Sequence, residues 1–186
     1  MSGVIADSKI EELAKRGMIY PYFTERVSGK LSNGISSYGY DITLGNEFKV
    51  FRRNGMYNDP IDPKNFNPEV LETMVGDVCI IPPNSFVLAY SVESFKIPRD
   101  IIGIVIGKST YARCGLVVNI TALEPEWEGQ ITIEISNTTP IPVKVYAMEG
   151  IAQVIFMRGE NVCHVSYRDK KGKYQNQTGI TLAKGS

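Results

Sequence analysis

A chain of 186 residues, 43% apolar and 22% charged, suits one ordinary globular domain with a sizeable core and leaves little room for two. Formal net charge is zero, which argues against a surface built for DNA or RNA, so an anion must be held by a local cluster rather than a general field. No apolar run is long enough to span a bilayer, the first residues lack a signal layout, and Cys79, Cys114 and Cys163 are scattered, so a reduced cytoplasmic protein with no membrane partner is expected.

Taken in order, the chain starts with one predicted helix. Ser8 and Glu11 fit a capping box, Ile10, Leu13 and Ala14 supply an apolar stripe, and Gly17 is placed to stop it. Residues 18–34 read as loop and short extended pieces punctuated by Pro21, Gly29, Asn33 and Gly34. Ser36 to Phe51 reads as two strands broken near Gly45-Asn46, with Asp41 inside the first as either a ladder-end carboxylate or a neighbour of the site. Residues 52–70, rich in Asn, Asp and Pro, read as an irregular surface loop without catalytic signal.

From Asp77 strand follows strand: VCII, SFVLAYSVESFKI, then Ile101 to Ile135 as strand, polar turn, strand, tight turn, strand. PVKVYAMEGIAQVIFMR and NVCHVSYR continue the pattern, and such spacing predicts an all-β sandwich or barrel. The basic, Gly-containing end should be mobile unless something ties it down.

Two groups carry candidate chemistry. In QITIEISN, Ile131, Ile133 and Ile135 share one face while Thr132, Glu134 and Ser136 share the other, which is either a solvated outer face or a site. Glu is a poor strand former, and its strand follows PEWEG with the only Trp. An apolar body such as Trp127 beside the carboxylate would desolvate it and raise its pKa toward that of a proton shuttle. The second group is GKSTYAR. Ser109 can cap a helical turn whose N–H groups face an anion, with Lys108 and Arg113 adding charge; the alternative is a solvated hairpin end. It is not a P-loop.

Gln153 interrupts an apolar run, either satisfied inside the sheet or reading a base edge. Tyr167, Lys173 and Gln177 lie in a tail that is either disordered or a lid over a phosphate chain. Zinc deaminases need H-x-E with P-C-x-x-C, whereas this chain has one histidine, His164, and no C-x-x-C, so no zinc is expected and no residue is assigned as a metal ligand. Mg²⁺ remains compatible because it rides on substrate phosphates.

The run GKSTYARCGLVVNITALEPEWEGQITIEISNTT closely resembles the dCTP deaminases, trimeric relatives of the dUTPases. SSYGYD, DPKNF, VCIIPPNSF, IAQV and GKYQNQTG extend the likeness over nearly the whole chain. The resemblance implies one domain over residues 1–186, with 168–186 a flexible C-terminal lid. The implied fold is mainly β, a distorted barrel or jelly-roll-like dUTPase-type body with a short N-terminal helix.

It further implies deamination of dCTP to dUTP and ammonia, in the supply of dUMP and dTTP, with Glu134 as a zinc-independent proton shuttle and Ser109 and Arg113 as catalytic partners. Lys108, Ser109, Thr110, Tyr111, Ala112 and Arg113 match the nucleotide-binding segment. Thr132 and Ile133 line the base and sugar pocket with Glu134, and Gln153, Tyr167, Lys173 and Gln177 match further contacts. A homotrimer with sites at subunit boundaries, Mg²⁺ carried by the triphosphate, and dTTP as a possible inhibitor are also implied. Lys108 stands where many members have Arg, a point charge in place of a planar fork. The rivals are a bifunctional enzyme that goes on to dUMP, a dUTPase, and a non-catalytic nucleotide-binding module.

Overall fold

Glu128–Asn137 forms a strand in which every second residue is buried, Gly129, Ile131, Ile133, Ile135 and Asn137 on one face. That alternation is the pattern expected of a strand with one face on the core. The computed structural model describes residues 2–52 and 60–185. In chain order its elements are β1 (Gly3–Val4), α1 (Asp7–Lys15), β2 (Ile19–Tyr20), β3 (Gly34–Ser36), β4 (Gly39–Thr43), β5 (Glu47–Phe51), a 3-10 turn (Pro68–Val70), β6 (Leu71–Val75) and β7 (Val78–Ile81). There follow β8 (Ser85–Lys96), β9 (Ile101–Gly107), α2 (Ser109–Ala112), β10 (Leu116–Asn119), β11 (Glu128–Asn137), β12 (Val143–Tyr146) and β13 (Gly150–Arg158).

Among the described residues these strands make two larger antiparallel sheets and a ribbon. One sheet runs β10-β11-β8-β5-β6 with β2 also on β8; the other runs β1-β13-β4-β3 with β9 also on β13; β12 pairs β7. Ile133 and Ile135 of the first sheet share one core with Ile42, Val154 and Phe156 of the second. The body is thus mainly β and jelly-roll-like, and it does not close into a continuous barrel.

α1 seals the core with Ile10, Leu13 and Ala14. Gly17 ends it as expected, at φ +93°, with its N–H on Ala14 O at 2.8 Å. The capping box is not formed. Ser8 lies inside the helix, Ala6 precedes it without a side-chain cap, and Glu11 pairs forward with Lys15 at 2.6 Å instead of reaching back.

NVCHVSYR is irregular, not a strand. Val162 and Val165 are each 57% exposed, so neither valine is held in the core. The loop expected over 52–70 is irregular from residue 60 to the 3-10 turn, and residues 53–59 lie outside the described residues.

A second glutamate sits deeper than Glu134. Glu93 of β8 is fully buried and accepts from Thr43 Oγ1 at 2.6 Å, Thr43 N at 3.0 Å and Tyr40 Oη at 3.1 Å, fastening β8 to β4. Burial still pushes its carboxyl up to about 7, against those hydrogen bonds.

Candidate active site

β11 carries Glu134 on the face turned away from the core, between Leu88 of β8 and Asn119 of β10. The carboxylate opens on a cavity of about 970 Å³. Phe51, Phe86 and Leu88 form one wall, with Phe51 and Phe86 rings 5.8 Å apart. Desolvation raises the Glu134 carboxyl to about 7, and its own backbone N–H only partly offsets this. Among the described residues no other side chain is hydrogen-bonded to it, so the carboxylate is left to the cavity.

Trp127 lines the same cavity, seven residues or roughly 20 Å of extended backbone from Glu134. Leu88, directly opposite Glu134, and Phe86, opposite Ser136, are the apolar residues that strand pairing sets beside the carboxylate.

Thr132, Glu134, Tyr167 and Gln177 come together around this space. Ile133 does not, since its side chain is fully buried on the core face. The tail is tied down along β11: Asn176 N donates to Glu128 O at 2.8 Å, Gln130 N to Gln177 O at 2.9 Å, and Gln177 Nε2 to Gln130 O at 2.7 Å. Thr181 N donates to Thr132 Oγ1 at 3.0 Å, which lays the tail over the cavity beside Glu134. Lys173 turns to the tail itself, donating to Lys184 O at 2.6 Å above the Tyr174 ring.

The GKSTYAR group lies outside the cavity lining. α2 enters β10 where Leu116 pairs Asn137, three residues beyond Glu134 and so roughly 10 Å along the strand. Ser109, Thr110, Ala112 and Arg113 are exposed there, and Tyr111 is buried. Ser109 is the first helical residue rather than the cap. Lys108 holds the cap position, and no side chain caps the turn.

Lys108 is no free cation. Its ammonium pairs with Asp41 Oδ2 at 2.7 Å and donates to Ser32 O at 2.8 Å, with the two side chains 14% and 8% exposed. Gln153, opposite Asp41 in the β13–β4 ladder, donates to Asp41 Oδ1 at 3.1 Å. Asp41, Lys108 and Gln153 therefore form one cluster on the second sheet, apart from Glu134.

Sequence reasoning missed one wall. Ile61, Pro63 and Phe66, in the loop read as plain surface, face the cavity, and the apolar residues among its prolines and asparagines were the available signal. His164 is exposed on the outer loop and does not line the cavity.

A family model described as dCTP deaminase-like matches residues 4–159. A protein of Campylobacter hominis named dCTP deaminase is 57% identical over 97% of this chain and 95% of its own length. Another of that name, from Methylococcus capsulatus, is 54% identical over 98% and 99%. The crystal structure of 2′-deoxycytidine 5′-triphosphate deaminase from Agrobacterium tumefaciens superposes with a TM-score of 0.66 at 16% identity, over 85% of this chain and 48% of that one, a likeness of fold.

Proposed function

The chain belongs to the dCTP deaminase family, and we propose on that premise that Glu134 is the group that moves protons in its reaction. The reaction is hydrolytic removal of the cytosine amino group: dCTP and water give dUTP and ammonia. A carboxylate held near neutrality accepts a proton from the water that attacks C4 of the pyrimidine. It passes that proton to N3 as the C4=N3 double bond opens, then carries the proton of the new C4 hydroxyl to the exocyclic nitrogen; the C4–N bond breaks, the C4 carbonyl forms and ammonia leaves. The single observation that carries the assignment is a carboxylate on the open face of β11, desolvated, set beside Leu88 and facing a cavity large enough for a nucleoside.

Thr132, Tyr167 and Gln177 surround the base and sugar. Lys173 is within the tail that covers them and turns toward the triphosphate when substrate, with its Mg²⁺, arrives. Ser109 and Arg113 are exposed on α2 and left unused by their own cavity, which supports a homotrimer in which each copy lends α2 to the site of a neighbour. Lys108, Asp41 and Gln153 then act from the second sheet as the platform beneath that segment. The place of action is the cytoplasm.

Incubation with dCTP and Mg²⁺, with ammonia and pyrophosphate both measured, tests the reading. Ammonia alone is the result expected. Pyrophosphate beside it makes the enzyme bifunctional, and pyrophosphate from dUTP without ammonia from dCTP overturns the deaminase assignment.

A further inference from the structure

We infer that Arg99 is a positioning residue that clamps the root of the C-terminal tail and so keeps the tail's cover over the Glu134 cavity. This rests on the reading of that cavity as the nucleotide site. Arg99 stands in the turn between β8 and β9 and does not line the cavity, so it acts only through what it holds.

Its guanidinium reaches three acceptors from three places in the chain. Nη1 donates to Glu126 Oε2 at 2.6 Å, and Nη2 donates to His164 O at 2.9 Å and to Asp169 Oδ2 at 2.7 Å. Glu126 lies in the loop before β11, while His164 and Asp169 flank the point where the tail begins. A planar fork can satisfy several acceptors at once, which an ammonium on a flexible stem does less well. Asp169 is fixed further by Ser166 N at 3.0 Å, and that bond together with Arg99 holds its carboxyl near 2.

The clamp leads directly into the cover. Tyr167 N donates to Pro125 O at 3.0 Å, and Gln175 Nε2 to the carbonyl of Glu126 at 3.0 Å, a residue at φ +62°. Trp127 Nε1 then donates to Tyr174 O at 3.0 Å. From there the tail runs along Glu128, Gln130 and Thr132 to Glu134's end of the cavity. The described residues after Arg158 form no helix or strand of their own, so their order depends on such anchors.

Arg99→Ala and Arg99→Lys test the clamp in the full-length protein. Trp127, the only tryptophan and 6% exposed, reports on the tail through its emission. Arg99→Ala is expected to red-shift that emission and to speed amide exchange over residues 174–181 by about tenfold or more. KM for dCTP should rise about tenfold with kcat within about threefold, and Arg99→Lys should fall between. Should Arg99→Ala not fold, Asp169→Asn, which removes one arm, carries the same readouts. Unchanged emission and exchange in a folded variant overturn the clamp, whatever happens to KM. A loosened tail with unchanged KM upholds the clamp and instead refutes the cavity as the nucleotide site.

Discussion

Glu134 on β11 stands directly opposite Leu88 on β8, and that apolar partner takes water from one side of the carboxylate. The pairing puts an acid with a pKa near 7 at the open face of a strand whose other face is core. A strand fixes such an orientation better than a loop, because the ladder hydrogen bonds on both sides hold the backbone.

The active form needs the carboxylate, so kcat/KM should climb with pH through about 7 and level off above it. Leu88→Asn wets the carboxylate and offers it a donor, so its pKa should fall toward the 4.5 of a solvated glutamate and move the acid limb to lower pH. A pH–rate profile of both proteins checks this. An identical limb in the variant would mean that Leu88 does not set the acidity.

Glu93 makes a separate prediction about stability. Its folded pKa, about 7, lies above the 4.5 of a solvated glutamate, so the unfolded chain releases its proton first. Between those values the folded state binds more protons, and stability falls as pH rises, levelling off above about 7. The gap corresponds to a loss of roughly 3 kcal/mol. Urea unfolding from pH 4.5 to 8 measures it together with the like contribution of Glu134, and Glu93→Gln should remove Glu93's share of that slope while lowering stability at pH 5, because the amide replaces one acceptor oxygen facing the Thr43 and Tyr40 donors.

If α2 serves a neighbour's cavity, inactive variants should complement each other. Arg113→Ala and Glu134→Gln copies, unfolded together and reassembled at equal concentration, should recover about a quarter of wild-type turnover by random assortment. No recovery would place Arg113 and Glu134 in the same copy's site, and near-normal turnover of Arg113→Ala by itself would remove Arg113 from the chemistry. Sedimentation of the wild-type protein should give three copies.

Much of this was readable before any coordinates, and the reason is period. QITIEISN sorts its residues onto two faces by alternation alone, so Glu134 separates from Ile133 without knowledge of any partner. The Leu88 pairing, in contrast, depends on register between distant strands. The same rule that singles out Glu134, an acid in mid-strand, also fits Glu93 in SVESF, where the answer is a core network. The two differ in what faces them, three donors from β4 in one case and an open cavity in the other, and sequence does not contain that difference.

Lys108 shows a similar limit. GKS next to Arg113 reads as an anion loop, but Asp41 and Ser32, at distances of 2.7 and 2.8 Å, have claimed the ammonium from strand and loop segments far away in sequence. In loop 60–68 the turn residues outweigh the one available signal, Ile61 and Phe66, so a local reading passes it as surface. The tail was open to either fate, since its order comes from β11 and Arg99 and not from its own composition.

Glu134→Gln tests the central assignment most directly. The amide keeps the shape of the side chain but moves no proton, so the variant should bind dCTP with affinity close to that of the unaltered protein while ammonia release falls by about 10²–10⁴-fold or more. Turnover within a few-fold of wild type, with binding intact, would contradict the account.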